Sequence, residues 1–344
     1  MRCQVLASAL ISGAMAARPF LEQPDTGLEM VLGDLPKGNL PKLDQMIGLP
    51  DFEWAAQNYL PIENYTYYRN GAAGEWSYRN NLEVFQRYRF KPRTMVDITN
   101  GAAAGDILYM PALYASLTIE EIAKAKAEGQ VVFQQLYLSS NDTETQELLD
   151  RSEKAGAAAI IFTVDSAADG NRHRAARFGV GSADSDYSYI TWDYYKKLQK
   201  MTKLPVIIKG IGSAADAKLA VQHGAPAIIL SNHGGRQLDG SPSGLEVALE
   251  IHEEAPEVFK KIEVYADGGV RYGADVLKLL SLGVKAVGLG RPFMYANVFG
   301  VDGVKKVIDI LKHEIAIDAG NLGVPDIQKI NPSYVKWKFN NWGQ

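Results

Sequence analysis

The residues best suited to chemistry lie in one short run, Ser231-Asn232-His233-Gly234-Gly235-Arg236-Gln237-Leu238-Asp239. A histidine takes up and releases a proton near neutral pH, so His233 is a candidate acid–base group. The guanidinium of Arg236 presents a planar fork of donors that matches a carboxylate. The two glycines between them permit a tight turn and a close ligand approach. The run therefore predicts proton transfer on a substrate that carries a carboxylate.

Further polar groups stand where apolar, β-branched runs end. These groups are Gln135, Tyr137, Thr163, Asp165 and Lys209. A carboxylate beside a catalytic histidine stabilises the imidazolium that forms when the ring accepts a proton. A lysine cation stabilises negative charge that develops near it during a reaction. The pattern predicts one site at the ends of several strands.

Two glycine-bearing turns near the carboxyl end of the chain each carry an arginine. They are Asp267-Gly268-Gly269-Val270-Arg271 and Gly288-Leu289-Gly290-Arg291-Pro292. Such turns expose backbone N–H groups to a phosphate, and the arginines neutralise its charge. Gly210-Ile211-Gly212 lacks the third glycine of a dinucleotide fingerprint. The two turns therefore predict a phosphate site that is not of the dinucleotide type.

The elements that must position these groups are short apolar runs alternating with amphipathic segments, the pattern of repeated βα units. The runs start near Ile107, Val131, Ala159, Val206, Ala227, Ile262 and Ala286. Units of about 25 to 30 residues favour a (β/α)8 TIM barrel, which uses about 250 residues for eight units. An open doubly wound sheet is the alternative. The barrel is favoured because polar and glycine-rich residues follow nearly every strand rather than one switch point.

Composition limits the kinds of partner. A formal net charge of -4 disfavours nucleic acid and membrane partners, although a local basic pocket remains compatible with it. The single cysteine, Cys3, excludes an internal disulfide and a cysteine cluster for a metal, and no metal site is predicted. Redox chemistry would therefore need a borrowed cofactor.

The amino-terminal region divides into two predicted parts ahead of a main domain spanning residues 51–344. Residues 1–17 resemble a short secretory signal, which would direct the protein to the secretory pathway; the alternative is an apolar helix of a cytoplasmic protein. Residues 18–50 are rich in Pro, Gly and Asp and predict an extended arm.

The run around His233 resembles the active-site signature of the FMN-dependent 2-hydroxy acid oxidases and dehydrogenases, the family of glycolate oxidase, lactate oxidase and the flavin domain of flavocytochrome b2. Segments from about Asp51 to Ile330 are similar in order and spacing. The resemblance implies a TIM barrel that binds FMN. The FMN-binding residues it implies are Gln135, Thr163, Lys209, Ser231, Asp267, Gly269, Arg271, Gly290 and Arg291.

The resemblance also implies roles in the reaction. His233, paired with Asp165, would remove a proton from a small (S)-2-hydroxy acid. Arg236 and Arg172 would hold the substrate carboxylate. Tyr67 and Tyr137 would contact the substrate and assist catalysis. The loop before Arg172, Ala167-Ala168-Asp169, departs from the family's proline-containing form. The electron acceptor stays open, with oxygen among the candidates, and relatives suggest a homotetramer.

The family pattern breaks between Asn100 and Gly105, where relatives carry the first barrel strand and its helix. The gap is about one βα unit of 30 residues. The segment Thr94–Thr99 could replace the strand, but the link after it is too short for a crossover helix. We favour an incompletely assembled gene sequence over an altered barrel. The alternative function is accordingly a non-catalytic or FMN-deficient barrel protein.

Overall fold

The centre of the protein is a six-stranded parallel sheet in the order β2-β3-β4-β5-β6-β7. The computed structural model describes residues 27–93, 107–137, 141–181 and 190–337. The six strands are β2 (Phe133–Leu136), β3 (Ala159–Thr163), β4 (Val206–Ile211), β5 (Ala227–Leu230), β6 (Glu263–Asp267) and β7 (Ala286–Gly288). Each strand pairs with the next one along the chain, as repeated βα units require. The predicted strands from Val131 onward are confirmed.

Both faces of the sheet are covered with apolar side chains. On one face Ile161, Ile207 and Ile229 pack together in a small cluster. On the other face Ile160, Ile208 and Ile228 join the main core with the surrounding helices. Successive side chains of a strand point to opposite faces of the sheet, and these strands are apolar throughout. Both faces are therefore apolar, unlike those of a half-exposed strand, which has one polar face.

Helices lie before, between and after the six strands, and several of them pack against the sheet in the main core. They are α5 (Ile119–Ala125), α6 (Asp142–Lys154), α7 (His173–Arg177), α8 (Trp192–Met201), α9 (Ala214–Gln222), α10 (Gly244–Glu254), α11 (Val258–Lys261), α12 (Gly273–Ser281), α13 (Arg291–Ala296) and α14 (Gly300–Leu322). A capping box at Thr118 begins α5, and a second box at Ser243 begins α10. A side-chain cap satisfies backbone N–H groups that the first turn leaves unpaired.

Four helices precede the sheet: α1 (Leu28–Leu32), α2 (Leu49–Tyr59), α3 (Ile62–Arg69) and α4 (Trp76–Arg87). A two-stranded antiparallel pair, β1 (Arg89–Phe90) with β8 (Val335–Lys336), joins this region to the carboxyl end. Phe52 and Leu49 of α2 pack with α13 and α14. Within residues 27–50 the predicted arm is thus not wholly extended, because Leu28 and Leu32 lie one turn apart and Leu32 reaches that apolar cluster.

Among the described residues, neither edge of the six-stranded sheet has a further complete strand beside it. Beside β2, the strand predicted near Ile107 is reduced to one parallel bridge between Tyr109 and Val132 and three backbone hydrogen bonds that Tyr109 and Pro111 make with β2 and Val131, so that part of the prediction is wrong in extent. A strand margin without a neighbour lacks half of the hydrogen bonds that hold a strand in register. The candidate strand Thr94–Thr99 and the candidate signal at residues 1–17 lie outside the described residues. Within the described part of the chain, no helix is long and apolar enough to span a membrane.

Candidate active site

The predicted site residues converge where the parallel strands end. Thr163 closes β3, Asp267 closes β6, and Ser231 directly follows β5. Because parallel strands present their carboxyl ends at one edge, residues distant in sequence meet there. His233 and Asp165 form the centre of this group.

His233 is held in a defined orientation by its own backbone and by Asp165. Its φ of +57° lies in the left-handed region, and Gly234 and Gly235 follow with positive φ as well. The backbone N–H of His233 donates to Ser231 Oγ at 3.0 Å. The ring Nδ1 lies 2.7 Å from Asp165 Oδ1, and both side chains are nearly buried. The short run of positive φ values is a strained turn that aims the imidazole into the site.

The second ring nitrogen of His233 faces the site. Nε2 lies 3.3 Å from the hydroxyl of Tyr137. Since the carboxylate of Asp165 can only accept, it fixes the Nδ1–H tautomer and leaves Nε2 with a lone pair. Nε2 is therefore the atom able to accept a substrate proton.

Gly210 is a residue that sequence reasoning did not single out. Its φ is +110°, and an added Cβ would lie 2.6 Å from the Cβ of Asp165. A side chain there would displace the carboxylate that orients His233. The glycine after Lys209 is thus required by the proximity of β4 to Asp165.

Lys209 provides a buried positive charge beside this pair. Its Nζ donates to Ser231 Oγ at 3.0 Å and lies 3.6 Å from both Asp165 Oδ2 and Asp267 Oδ2. Burial tends to lower the pKa of Lys209, but attraction to Asp165 and Asp267 outweighs burial and raises it above its usual range. Burial likewise tends to raise the pKa of Asp165, yet Lys209 and His233 hold it below its usual range. Lys209 stays protonated and Asp165 stays ionised near neutral pH.

Gln135 and Thr163 form a fixed polar surface on the neighbouring strands. The amide Nε2 of Gln135 donates to Thr163 Oγ1 at 2.9 Å, and its Oε1 accepts from the backbone N–H of Leu113 at 3.0 Å. Both side chains are buried. Their polar atoms are therefore preorganised rather than mobile.

Arg236 and Arg172, the pair predicted to bind the substrate carboxylate and here called the clamp, lie beside His233. Arg236 Nη2 donates to the backbone carbonyl of Tyr67 at 3.2 Å, and its guanidinium lies 5.5 Å from the Tyr67 ring centre. Arg172 Nε donates to the carbonyl of Arg236 at 3.2 Å. Arg236 Nε is buried and has no hydrogen-bond partner among the described residues. Burial and the nearby charge of Arg172 lower the pKa of Arg236, so a substrate anion would relieve an unfavourable concentration of positive charge.

Arg291 of the predicted phosphate site is engaged by the protein itself. Its guanidinium donates to the carbonyls of Tyr68 at 2.7 Å, Gly234 at 2.9 Å and Asn70 at 2.8 Å. Burial lowers its pKa. Arg291 thus ties the His233 turn to the end of α3, a contact that sequence reasoning did not foresee.

Arg271 has capacity for an anion. Its Nη1 donates to the carbonyl of Val270 at 3.0 Å, and its Nη2 lies 3.9 Å from Glu53 Oε2. That Nη2 is buried without a hydrogen bond in the described structure. A buried charged donor left in this way gains much from a strong acceptor.

The two predicted phosphate-site glycines differ in surroundings. A Cβ on Gly269 would lie 1.7 Å from the backbone oxygen of Asn81, so packing against α4 requires this glycine. A Cβ on Gly290 would meet nothing within 4 Å. Three features fit a flavin that carries a phosphate: the open space at Gly290, the Lys209 cation, and Arg271 Nη2, which has no hydrogen bond among the described residues.

Sequence reasoning missed a buried charged network beneath the clamp. Arg69 Nε lies 3.4 Å from Glu53 Oε1, and Arg69 Nη1 lies 3.5 Å from Glu75 Oε2. Arg174 donates twice to Glu75, at 2.8 Å each. The available signal was Glu53, a carboxylate within the apolar face of α2 next to the buried Phe52. Charged side chains are almost never buried unless they are paired.

Comparisons with known sequences agree with this geometry. A family described as FMN-dependent dehydrogenase matches residues 98–187 and 181–337. The L-lactate dehydrogenase (cytochrome) of Saccharomyces cerevisiae is 34% identical, in an alignment that covers 86% of this chain and 61% of the yeast protein. Human 2-hydroxyacid oxidase 1 is 32% identical, in an alignment that covers 86% of this chain and 97% of the human protein. The chain thus spans about three fifths of the yeast relative's length.

A solved structure agrees as well. The recombinant flavin-binding domain of baker's yeast flavocytochrome b2 is 35% identical, with a TM-score of 0.81 over 86% of this chain and 88% of that one. This likeness confirms the predicted TIM-barrel class, and the six-stranded sheet is compatible with the prediction that the first unit is lacking. The chain is therefore a member of the FMN-dependent dehydrogenase family.

Proposed function

We propose that this protein oxidises a small (S)-2-hydroxy acid to the 2-oxo acid with FMN as its cofactor. The observation that carries the proposal is the His233–Asp165 pair, 2.7 Å apart, beside Arg236, whose buried Nε has no hydrogen-bond partner among the described residues. A proton acceptor next to a carboxylate-binding cation is what a 2-hydroxy acid requires. Relatives named for lactate and 2-hydroxyacid oxidation support this substrate class.

The clamp orients the substrate. Arg236 and Arg172 bind its carboxylate, and the hydroxyls of Tyr67 and Tyr137 contact it from the side of α3 and β2. Two fixed cations hold the substrate in one orientation, which converts proton removal into a step between neighbouring atoms. The carbon that carries the hydroxyl is then placed beside His233.

His233 removes one proton, either from Cα or from the hydroxyl, at Nε2. Asp165 stabilises the imidazolium that results. Oxidation of the alcohol to the carbonyl releases two electrons and two protons, and bound FMN would accept the electrons and the proton that His233 does not take. Lys209 places a permanent positive charge near Gln135 and Thr163, where the cofactor ring would be held, and it favours the added negative charge. Arg271, Arg291, Gly269 and Gly290 would hold the phosphate, with Ser231 and Asp267 positioning Lys209.

Anaerobic mixing of the purified protein with glycolate, L-lactate and (S)-mandelate tests the proposal. Loss of the oxidised flavin absorbance with at least one acid is the expected result. His233→Gln should keep FMN bound but reduce it at least about 10³-fold more slowly, because the general base is lost. Reduction at the wild-type rate by His233→Gln would exclude the assigned base.

A second candidate is a non-catalytic or FMN-deficient barrel protein, and the incomplete pairing at the edges of the sheet favours it. Tyr109 and Pro111 make one bridge and three backbone hydrogen bonds beside β2 but no full strand, and β7 has a single neighbouring strand among the described elements. Purification of a colourless protein that cannot be reconstituted with added FMN would support this candidate. A yellow protein that is bleached by a 2-hydroxy acid would exclude it.

The acceptor, assembly and location are further proposals. We propose molecular oxygen as the electron acceptor, a homotetramer, and a secretory signal at residues 1–17. Hydrogen peroxide formation during turnover, light scattering of the purified protein, and export of a reporter fused to residues 1–17 test these three statements separately. The alternative to oxygen is a cytochrome acceptor, and the alternative to the secretory pathway is a cytoplasmic location.

A further inference from the structure

The loop between α3 and α4 contacts both segments that carry the clamp arginines. The backbone N–H of Ala72 donates to the carbonyl of Gly235 at 2.7 Å, and that of Ala73 donates to the carbonyl of Asn171 at 2.5 Å. Gly235 immediately precedes Arg236, and Asn171 immediately precedes Arg172. The position of this loop therefore sets the distance between the two guanidinium groups.

The clamp segments also contact each other closely. A Cβ on Gly170 would lie 2.2 Å from the carbonyl oxygen of Arg236. Arg172 Nε donates to the same oxygen at 3.2 Å. A small shift of one segment thus moves the other, because close-packed groups transmit displacement rather than absorb it.

Glu75 is the anchor of the loop. Its side chain is only 8% exposed, and its carboxylate receives two hydrogen bonds from Arg174 at 2.8 Å. The backbone N–H of Gly71 donates to the same carboxylate at 3.1 Å. Burial tends to raise the pKa of Glu75, but Arg174 and Arg69 hold it below its usual range. Glu75 is therefore ionised and joins its own loop to helix α7, which begins one residue after Arg172.

The loop adopts a backbone that needs such support. Ala73 has a φ of +41° and Glu75 a φ of +59°, both in the left-handed region that side chains disfavour. Conformations of this kind cost on the order of 1 to 3 kcal/mol each and persist only where surrounding contacts impose them. The Glu75–Arg174 pair is one of those contacts.

We infer that Glu75 and Arg174 are positioning residues that hold the Arg172 and Arg236 guanidinium groups at the spacing needed to bind a substrate carboxylate. The inference rests on the proposed function. Neither side chain needs to touch substrate: Arg174 acts on Arg172 through α7, and Glu75 acts on both arginines through residues 72 and 73.

The test uses Arg174→Gln in the full chain. Arg174 is 40% exposed, so the variant loses the ion pair without leaving a cavity. The matched control is Arg151→Gln, which removes an equally bidentate pair with Glu120 at 2.8 and 2.9 Å, where the arginine is 44% exposed and remote from the site. Arg174→Lys keeps the charge but not the fork of donors.

Two readouts are taken, the KM and kcat with the most active of the three acids and the hydrogen exchange of residues 170–178. We expect Arg174→Gln to raise KM about tenfold, with a smaller change in kcat, and to speed exchange of this segment. Arg174→Lys should recover part of both effects, and Arg151→Gln should change neither.

Each alternative outcome has a defined meaning. Faster exchange without a change in KM would show that the pair is only a structural contact, and this would overturn the inference. Unchanged exchange would overturn it as well. If the wild-type protein shows no turnover, the proposed function fails, whereas the exchange of residues 170–178 still decides whether the pair holds the clamp segment. A rise in KM in Arg151→Gln would also overturn it, because the effect would not be specific to the site.

Discussion

The middle of the sheet and its two margins differ in how completely their residues are paired and covered. All five residues of β3 are buried, and β3, β4, β5 and β6 each have neighbours on both sides. At the margins β7 is partly exposed, and Ile107 and Val131 are 43% and 45% exposed. Asp165 and His233 follow β3 and β5 of the middle region, and Lys209 lies within β4.

The difference shows why the acid–base groups can stay assembled when a barrel unit is lacking. Their positions depend on β3, β4 and β5, which hold one another in register. The strands at the two edges, β2 and β7, each lack a complete neighbouring strand on one side among the described residues. Loss of one unit therefore affects the walls of the site before it affects the proton-accepting pair.

The largest effect is expected from a substitution in the active site, at the middle of the sheet. Asp165→Asn should lower the rate of anaerobic flavin reduction by about 10³-fold, because an amide can stabilise the wrong tautomer of His233 and cannot balance the imidazolium. Rapid mixing with a 2-hydroxy acid measures this rate. Asp193→Asn, on the exposed first turn of α8, is the control and should leave the rate unchanged.

The same substitution has a consequence for acid stability. The pKa of Asp165 is lowered in the folded protein, so its stabilising contribution is present above its unfolded pKa of about 3.9 and is lost as pH falls through the folded value. The free energy of unfolding of the wild type should therefore fall more steeply in acid than that of Asp165→Asn. Parallel acid titrations of the two proteins would contradict the assignment of Asp165 as a buried carboxylate.

A matched pair of core truncations sharpens the comparison. Ile161 is fully buried in β3, whereas Ile107 is 43% exposed at the margin. Ile161→Ala should lower the free energy of unfolding by about 2 to 5 kcal/mol through lost burial and a residual cavity. Ile107→Ala should change it by no more than about 0.5 kcal/mol. Urea denaturation measures both, and equal losses would show that the margin is covered in solution.

The two capping boxes give a smaller effect of the same kind. Ser243 caps α10 in the middle region, and Thr118 caps α5 at the margin. Either change to alanine should cost about 1 kcal/mol of helix stability. We expect Ser243→Ala to lower the global free energy of unfolding, and Thr118→Ala to speed only local hydrogen exchange in α5. If both variants lower the global free energy of unfolding, the edge of the sheet unfolds cooperatively with the core.

The smallest change in stability is expected from Val131→Lys. The side chain is 45% exposed beside the Tyr109 bridge, so a lysine should alter the free energy of unfolding by no more than about 0.5 kcal/mol. A charge at this edge of the sheet, where pairing is incomplete, should nevertheless reduce association between chains. Light scattering at increasing protein concentration measures this. A stable protein whose association is unaffected would mean that the margin is not an association surface.

Much of the fold was predictable because local patterns and their spacing carry it. The apolar runs at Val131, Ala159, Val206, Ala227, Ile262 and Ala286 became strands in the predicted order. The run at Ile107 pairs with β2 only at Tyr109 and Pro111, and no strand among the described residues holds its other side in register. The helix Leu28–Leu32 was missed because five residues carry too little periodicity.

The candidate site was predictable where residues follow strands, and not where they lie on helices remote in sequence. The closeness of His233 and Asp165 follows from β3 and β5, which are separated only by β4 and end at the same edge of the sheet. The pairing of Arg174 with Glu75, 99 residues apart, has no such rule behind it. The roles of the site residues in binding substrate and FMN remain predictions that the proposed variants test.

The sequence by itself determined a parallel βα sheet and the side chains that follow its strands, since period, apolarity and glycine-bearing turns are local properties. Only the tertiary structure decided that Arg291 donates to three backbone carbonyls, that Gly269 is required by Asn81, and that Arg236 Nε is left without a protein acceptor among the described residues. These facts depend on how distant segments pack. Packing is fixed by the summed contacts of the whole chain, which no local pattern contains.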